Sequence, residues 1–286
     1  MSIAFGVKCS NGIVLGVDLE YSQDLSSMPG QKMFWLPKTE ADYFVLIAAA
    51  GNPDTTKTFM EVLESELAVQ IPHGHTSWTQ LKGVIKSCLK YVYSEHVDAA
   101  PRDERASLGC DLLVALRILN ETRLYHSNRT MLVEEKGTYC HGVGLYAARC
   151  LSDIFLDWRA HIHVSAAAQI VAFIVAEAAE HIQSVGKGSD IHTLPNEGPA
   201  YSLLRWERDE VNSGFGILMR AFQGCLSQIG GGGKSFLYPH YLDEFKKAID
   251  KLRESQAKRE EERLTRHLMA STPQPTKADQ SHHHES

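Results

Sequence analysis

The sequence predicts an α+β fold in which two antiparallel sheets pack face to face and a pair of helices covers each outer face, a four-layer αββα sandwich. Three observations lead to this fold class. Apolar β-prone runs and amphipathic helical patterns follow each other as strands, two helices, strands, two helices and strands. Asn11-Gly12 marks a hairpin turn near the start, and short polar turns separate the later strands. Antiparallel neighbours are therefore expected in both sheets.

The strands ahead of the first helix begin with a hairpin. Two apolar runs flank Asn11-Gly12, a turn sequence that favours a two-residue hairpin loop. Residues 21–30 are rich in Ser, Gly and Pro and are predicted to form a loop. A later run is apolar on both faces, which predicts a central strand. The predicted strands are residues 3–8, 12–17, 33–36 and 43–50.

The first helix pair follows directly. Asn52 is placed to cap the first helix and Pro53 to occupy its first position. The helix is expected to continue to about residue 70, because apolar side chains recur at helical spacing. The same spacing predicts a second amphipathic helix over residues 76–97.

The second half of the sandwich repeats this order. Turns at 120–122 and 128–130 separate three short strands, and Ser165 is expected to open the last core helix. The predicted strands are 111–119, 123–127, 131–135, 139–144, 190–194 and 201–206, and the predicted helices are 145–158 and 165–183.

The remainder of the chain is predicted to be a helical extension, residues 207–269, with helices at 208–229 and 243–267 and a glycine break at 230–233. Residues 270–286 are predicted to be a disordered tail. The sandwich domain itself is predicted to span residues 2–206.

Composition excludes several classes of partner and site. The net charge of -6 leaves no basic surplus for nucleic acid or an anionic membrane. The six cysteines form no CxxC pair, which argues against a structural zinc site and favours reduced thiols in the cytoplasm. No signal peptide and no apolar stretch long enough for a membrane span are recognised. No cofactor and no metal are predicted.

Four segments carry a resemblance to a known family. They are residues 2–6 (Ser-Ile-Ala-Phe-Gly), 11–18 (Asn-Gly-Ile-Val-Leu-Gly-Val-Asp), Lys32 and 48–54 (Ala-Ala-Ala-Gly-Asn-Pro-Asp). Together with the order of elements they resemble the proteasome β-subunit and its bacterial relatives, which are N-terminal nucleophile (Ntn) hydrolases. The resemblance covers residues 2–206 and implies the Ntn hydrolase fold.

The resemblance also implies roles for four residues. The position of the family nucleophile falls on Ser2, whose α-amine would act as general base after removal of Met1. Lys32 matches the buried lysine of the family, and Asp18 matches the carboxylate that keeps this lysine charged. The backbone N–H of Ala50 falls at the position of the oxyanion donor, which Ala satisfies if its φ is negative.

The sequence departs from the family pattern at three supporting positions. The family carries a Ser between two glycines, where this chain has Gly142-Val143-Gly144. It also carries an Asp and, three residues later, a Ser, where this chain has Ile182 and Val185. A shift of that loop would bring Gln183 or Ser184 to the site instead.

Three functions remain open at this point. The leading prediction is a peptidase subunit that hydrolyses peptides or unfolded polypeptide through an acyl-enzyme on Ser2, in a homo-oligomer or proteasome-like ring, with an ATP-dependent unfoldase as a further partner. The second is a catalytically inactive structural subunit of such a ring. The third is an amidase of the same fold that acts on a small molecule.

Overall fold

A computed structural model of the chain describes residues 2–23, 26–37, 42–71, 76–142, 148–149, 152, 156, 162–182, 185–205, 207–209, 211–214, 216, 247 and 254. The chain divides into two compact units, Met1–Asn212 and Ser213–Ser286. The first unit contains all the strands and helices whose bounds follow. The predicted domain boundary near residue 206 stays a prediction.

The regular elements of the described residues are strands followed by helices, further strands, one long helix and closing strands. They are β1 (Ile3–Cys9), β2 (Gly12–Asp18), β3 (Glu20–Gln23), β4 (Ser26–Pro29), β5 (Met33–Leu36), β6 (Tyr43–Gly51), α1 (Pro53–Gln70), α2 (Trp78–Val92), a π-helical turn (Tyr93–Val97), α3 (Arg105–Leu108), β7 (Cys110–Ile118), β8 (Glu121–Asn128), β9 (Met131–Glu135), β10 (Thr138–Gly142), α4 (Val164–His181), β11 (Ser189–Pro195) and β12 (Tyr201–Ser202).

The strands form two five-stranded antiparallel sheets. The first sheet has the order β10-β1-β2-β11-β12, and the second has the order β5-β6-β7-β8-β9. Strands β3 and β4 form a separate two-stranded ribbon. The predicted fold class, an α+β sandwich of two antiparallel sheets with helices, is confirmed.

Aliphatic and small side chains fill the space between the sheets. Ile13, Leu15 and Val17 of β2 face Leu46 and Ala48 of β6 in one buried cluster. A second cluster lies on the outer face of the second sheet, where α1 and α2 cover it. On the outer face of the first sheet, α4 packs against β2 and β11. The two sheets therefore share an apolar core, and any polar group between them needs a partner.

Local sequence signals explain where the helices begin. Asn52 caps α1 by accepting hydrogen bonds from the N–H groups of Asp54 and Thr55, both at 3.0 Å. This confirms the predicted cap, with Pro53 at the first position. Helix α2 begins later than predicted, because Ser77 and Gln80 form a capping box just ahead of Trp78.

Other elements differ from their predicted bounds. Residues 21–30, predicted as a loop, contain most of the β3–β4 ribbon. The predicted strand 201–206 ends at Ser202, and His163 rather than Ser165 caps α4. The Gly break at 230–233, the tail at 270–286 and Val143 lie outside the described residues, as do most residues of the predicted helices at 145–158, 208–229 and 243–267.

Helix α4 is long and apolar enough to cross a membrane by length and composition alone. In the structure 56% of it is buried, against the first sheet. Gly16 of β2 makes this packing possible, because a Cβ there would lie 2.6 Å from Val171 of the helix. The apolar character of α4 is therefore accounted for by the protein core.

Candidate active site

Ser2, Asp18 and Lys32, three residues predicted from the sequence, meet at one end of the sandwich. Ser2 immediately precedes β1, Asp18 ends β2, and Lys32 immediately precedes β5. All three are buried, with 3%, 0% and 2% of their surface exposed, respectively. We call these three residues the Ser2 cluster. Strands from both sheets thus bring together one hydroxyl and one pair of opposite charges.

The Lys32 ammonium uses all three of its donors. It donates to Ser2 Oγ at 2.8 Å, to Asp18 Oδ2 at 2.8 Å and to the backbone carbonyl of Glu20. Because an ammonium has three N–H bonds and no acceptor, its hydrogen bonding is complete. The Ser2 oxygen accepts one of these bonds, which leaves the hydroxyl proton of Ser2 free for donation to a base.

The Asp18 carboxylate is also fully engaged. Its Oδ1 atom accepts from the N–H of Ile3 at 2.8 Å, and its Oδ2 atom accepts from Lys32 and from the N–H of Gly186, at 2.8 Å in both cases. Two backbone amides and one ammonium therefore compensate for the loss of water around a fully buried carboxylate. The carboxylate also ties the residue after Ser2 to the end of β2.

Burial and charge act on Lys32 in opposite directions. Burial lowers the pKa of the Lys32 ammonium below its ordinary value of 10.5, because the charged form loses its solvation. The charge of Asp18, its hydrogen bond and the charge of Glu20 all act to raise the same pKa. The Asp18–Lys32 pair thus places a buried positive charge beside the Ser2 oxygen, where it would stabilise an alkoxide.

Gly142 lies directly against the backbone of Ser2. Its φ of +92° is a value that favours glycine, and a Cβ at this position would lie 1.9 Å from the Ser2 carbonyl oxygen. Ile3 pairs with Gly142 in the β1–β10 ladder. The close approach of the two strands fixes the position of Ser2, and only glycine fits there.

Gly186 has a similar requirement for a different reason. A Cβ on Gly186 would lie 2.4 Å from the Cβ of Glu20 and 2.7 Å from Asp18 Oδ2. The absence of a side chain lets the N–H of Gly186 reach the Asp18 carboxylate. Gly186 therefore belongs to the site through its backbone.

Ala50 lies in β6 with extended, negative-φ backbone, the condition under which Ala was acceptable at the oxyanion position. The direction of its N–H is different from the prediction. The N–H of Asn52 donates to the carbonyl of Gly109, the residue just ahead of β7. Ala50 lies two positions earlier in β6 and pairs with Asp111 in the β6–β7 ladder. Antiparallel ladders alternate, so the N–H and the carbonyl of Ala50 both point to β7.

The next amide points the other way. In a trans peptide the N–H of Gly51 is opposite to the carbonyl of Ala50, so it is directed to the β5 side of β6. Ala49 confirms this alternation, because its N–H donates to the Lys32 carbonyl at 2.9 Å. Gly51 is exposed and has a φ of +103°. The amide directed to the Lys32 side of the strand is therefore that of Gly51.

Two of the three apolar supporting positions, Ile182 and Val185, lie within the described residues. The N–H of Val185 donates to the Ile182 carbonyl at 2.9 Å, which forms the turn ahead of Gly186. Val185 is buried. Gln183, Ser184 and Val143 lie outside the described residues.

Several groups of the site were not predicted as site residues from the sequence. They are the backbone groups of Ile3, Glu20, Gly142 and Gly186 and the side chain of Tyr21, whose ring centroid is 4.6 Å from Lys32 Nζ. Backbone groups leave no signature in side-chain type. The two glycine-containing turns were the available signal for Gly142 and Gly186.

A second polar cluster lies between the sheets, and its members come from β7, β8, β9 and β10. We call it the histidine cluster, and its members are Asp111, His126, Glu135, Tyr139 and His141. The His126 ring stacks on Tyr139 with centroids 4.0 Å apart, and His141 meets the edge of both rings. No three of the described His, Cys, Asp or Glu side chains are arranged as ligands of one metal ion.

Hydrogen bonding in the histidine cluster is incomplete. His126 Nδ1 is 2.7 Å from Glu135 Oε1, an ion-pair distance without the alignment of a hydrogen bond. His141 Nδ1 is 3.8 Å from Asp111 Oδ2, and its buried Nε2 has no partner within the part of the chain that the structure describes. Burial is the main cause that lowers the pKa of His141, and His126 lowers it further.

Comparison with known proteins identifies the fold. No family model matches the chain, and no curated protein matches it. Several solved structures are similar to it. A mutant of Anbu from Hyphomicrobium sp. strain MC1 is 12% identical with a TM-score of 0.65 over 80% of this chain and 100% of that chain.

Two further Anbu structures are similar to this chain. Anbu from Yersinia bercovieri, named an ancestral beta-subunit, is 15% identical with a TM-score of 0.63 over 82% of this chain and 99% of its own. The helical assembly of the Anbu complex from Pseudomonas aeruginosa is 14% identical with a TM-score of 0.61, over 82% and 97%. The fold is that of Anbu.

The identification of this chain with the proteasome β-subunit was therefore wrong. The similar structures are Anbu proteins, which share the proteasome-like Ntn fold. At 12–15% identity the likeness establishes the fold alone. The motifs quoted from the sequence did not distinguish the two kinds of protein.

Proposed function

We propose that this chain is a subunit of an Anbu-like assembly and hydrolyses peptide bonds with Ser2 as an N-terminal nucleophile, once Met1 has been removed. One observation carries the proposal: a buried lysine, itself paired with a buried carboxylate, donates a hydrogen bond to the Ser2 oxygen. A buried ion pair is costly to maintain and is weak support for a purely structural role. Its position on a hydroxyl is the arrangement that activates a nucleophile.

The proposed reaction begins with attack of Ser2 Oγ on a carbonyl carbon. The free α-amine of Ser2, with an unperturbed pKa of about 7.7–8.0, takes up the hydroxyl proton. Lys32 remains positively charged and stabilises the developing negative charge on oxygen, while Asp18 keeps Lys32 in place. The tetrahedral intermediate collapses as the peptide C–N bond breaks, and the α-ammonium of Ser2 gives its proton to the leaving amine. Water then loses a proton to the α-amine and attacks the acyl carbon. As the C–Oγ bond breaks, the acid product is released and the Ser2 oxygen takes that proton from the α-ammonium.

We further propose Gly51, in place of Ala50, as the donor to the oxyanion. The direction of the Gly51 N–H toward the β5 side supports this, as does the ladder pairing that turns the N–H of Ala50 to β7. Its positive φ also favours glycine at this position, since a Cβ would lie 2.6 Å from the Gly109 carbonyl oxygen. The role predicted for Ala50 thus moves by one residue along the strand.

The proposal is tested by mass spectrometry of the intact protein after incubation with a β-lactone. The parent protein lacking Met1 is expected to gain one acyl group, which maps to the N-terminal peptide that contains Ser2. Ser2→Ala is expected to gain none, and Ser2→Thr to retain the reaction. Ser10→Ala, which removes an exposed hydroxyl beyond the other end of β1, is the matched control and is expected to react like the parent.

Two outcomes would contradict the proposal. One is an equal adduct in Ser2→Ala and in the parent, which would place the reactive group elsewhere. The other is the absence of an adduct in a folded parent protein whose mass shows that Met1 has been removed. A protein that retains Met1 or is N-acetylated is expected not to react, because its N-terminal nitrogen is not a base.

A non-catalytic scaffold subunit is the second candidate. The observation that favours it is the apolar pair Ile182 and Val185, where the Ntn pattern has a carboxylate and a hydroxyl. Loss of such groups reduces the precision of a site and can abolish turnover. In that case the Ser2 adduct would be absent although size-exclusion chromatography with light scattering shows an assembled oligomer.

A further inference from the structure

Tyr21 completes the enclosure of the Lys32 ammonium. The three N–H bonds of Lys32 point to Ser2, Asp18 and the Glu20 carbonyl, and the Tyr21 ring centroid lies 4.6 Å from Nζ. The side chain of Lys32 has no exposed surface. An aromatic face attracts a cation and excludes water at the same time.

The Tyr21 ring is held from two sides. Its hydroxyl donates to the Gln31 carbonyl at 3.0 Å, the residue directly before Lys32. Gly30 packs flat against the ring, because a Cβ on Gly30 would lie 2.3 Å and 2.4 Å from two ring carbons. Gly30 also donates to the Leu19 carbonyl at 3.2 Å. Gly30 and Gln31, which lead into Lys32, therefore fix the Tyr21 ring, and Gly30 is itself bonded to Leu19, the residue after Asp18.

We infer that Tyr21 is a positioning residue for the proposed reaction: its ring excludes water from Lys32 and keeps the ammonium directed at the Ser2 oxygen. The inference rests on the proposed role of Ser2. It adds to that role a side chain that acts through Lys32, and it explains why the position of Gly30, against the Tyr21 ring, has no side chain.

The geometry distinguishes this role from ordinary core filling. An apolar side chain of similar volume would fill the same space but would offer no negative π-face to Nζ. Among the described residues, the hydrogen-bond acceptors of the ammonium are oxygen atoms of Ser2, Asp18 and Glu20. Removal of the ring therefore opens a space beside Nζ, and water that enters it would compete with Ser2 for an N–H of Lys32.

Four proteins test the inference: the parent, Tyr21→Phe, Tyr21→Ser and Gly30→Ala. Tyr21→Phe keeps the ring and removes only the hydroxyl. Gly30→Ala keeps Tyr21 and displaces its ring, and no positive φ is involved at this glycine. Each protein is treated with acetic anhydride across a pH series, and the acetylation of Lys32 is measured relative to that of Lys8 by peptide mass spectrometry. The rate of β-lactone addition to Ser2 is measured on separate, unacetylated samples of the same four proteins.

Lys8 is the internal control, since it is a half-buried lysine at the far end of β1 that donates to Thr122 Oγ1. Lys32 is expected to be protected in the parent and in Tyr21→Phe. In Tyr21→Ser and Gly30→Ala its acetylation relative to Lys8 is expected to rise about tenfold or more, with a loss of about 10²-fold in the rate at Ser2. The high-pH limit of the Ser2 reaction is expected to move upward in both, because a hydrated lysine holds its proton to higher pH.

Equal protection of Lys32 in Tyr21→Ser and in the parent would overturn the inference. So would unchanged Ser2 rates and pH profiles in variants whose Lys32 has become reactive. If Tyr21→Ser also exposes Lys8, the variant has lost its fold, and Gly30→Ala against Tyr21→Phe decides the question. A parent protein that forms no Ser2 adduct, together with selective exposure of Lys32 in the two variants, would reject the proposed function and retain the shielding role of Tyr21.

Discussion

The Ser2 cluster and the histidine cluster occupy the space between the same two sheets, but they differ in how far their polar groups are satisfied. In the Ser2 cluster the ammonium and the carboxylate each have three hydrogen bonds and neither side chain is exposed. In the histidine cluster two ring nitrogens lack a hydrogen-bond partner among the described residues, and the Asp111 side chain is 50% exposed. The strands that carry both clusters are neighbours.

This difference indicates what each cluster does. A buried charge pair with every bond made has one geometry, since any displacement leaves a donor or an acceptor unpaired. A cluster with two ring nitrogens that lack a hydrogen bond among the described residues and with a half-exposed Asp111 carboxylate can adjust its contacts at small cost. We therefore expect changes in the Ser2 cluster to have large effects and changes in the histidine cluster to have small, pH-dependent ones.

The largest effect is expected for Lys32→Met, which removes the buried positive charge and leaves Asp18 with two backbone donors. The Ser2 reaction with a β-lactone is expected to slow by about 10²–10³-fold, as for the loss of one preorganised electrostatic group. Unfolding in urea is expected to show a loss of about 3–5 kcal/mol, because one partner of a buried ion pair has been removed. Lys8→Met is the matched control for the rate, which should be unchanged.

A rate in Lys32→Met within a few fold of the parent would show that the buried charge has no part in the reaction, and the contrast between the clusters would lose its functional meaning.

The next effect is expected for Gly142→Ala. The new Cβ would overlap with the Ser2 carbonyl oxygen, so β10 must move away from β1 and Ser2 must shift. We expect a loss of stability clearly above the ~1–2 kcal/mol cost of a left-handed backbone, and a loss of Ser2 reactivity by about 10²-fold.

Gly198→Ala separates the cost of the left-handed backbone from the effect of the overlap with Ser2. Gly198 also has a positive φ, of 83°, but a Cβ there meets nothing within 4 Å. This variant should therefore show the backbone cost in chemical denaturation without any change at Ser2. Equal behaviour of the two variants would mean that the contact with Ser2 is unimportant.

The pH profile of the Ser2 reaction sharpens the comparison further. Reactivity is expected to rise with pH as the α-amine of Ser2 loses its proton, because only the neutral amine is a base. It is expected to fall again as Lys32 loses its charge, at a pH below 10.5 because burial lowers the pKa of Lys32. The rate constant for adduct formation, measured from pH 6 to 11, would contradict this view if it rose to a plateau without a falling limb.

The smallest effect is expected for His141→Phe. Burial lowers the pKa of His141, so between that pKa and 6.5 the unfolded chain binds more protons than the folded one. Stability should therefore fall as the pH falls through this window, and His141→Phe should weaken that dependence while changing stability at pH 8 by no more than about 1 kcal/mol. The exposed His96→Phe is the control, and urea midpoints at pH 5 and pH 8 provide the measurement.

An unchanged pH dependence in His141→Phe would show that His141 binds protons equally in the folded and unfolded states, so that folding does not lower its pKa.

Sequence patterns predicted the fold well because its elements depend on local signals. The cap at Asn52, the turn at Asn11-Gly12 and the apolar faces of the strands each lie within a few residues of the element that they determine. The β3–β4 ribbon was missed, since its pairing depends on its placement beside the site and its residues have the composition of a loop.

The site was predicted in part for a similar reason. Ser2, Asp18 and Lys32 were expected together because the first three strands align with a known motif, and the structure does bring them together. The direction of a backbone N–H depends on strand register, which shifted the oxyanion candidate from Ala50 to Gly51. The part played by Gly186 also required the three-dimensional arrangement, since it lies far from Asp18 in the chain.

The strand orders of the two sheets have a consequence for synthesis on the ribosome. The second sheet consists of β5 to β9, and it can be complete once residue 135 has emerged. The first sheet begins with the first strands to be made but needs β10, β11 and β12, and Asp18 needs the N–H of Gly186. The first strands of the chain therefore depend on residues that are made much later, and the hydrogen bonds of the Ser2 cluster cannot all form on a nascent chain before Gly186 has been translated.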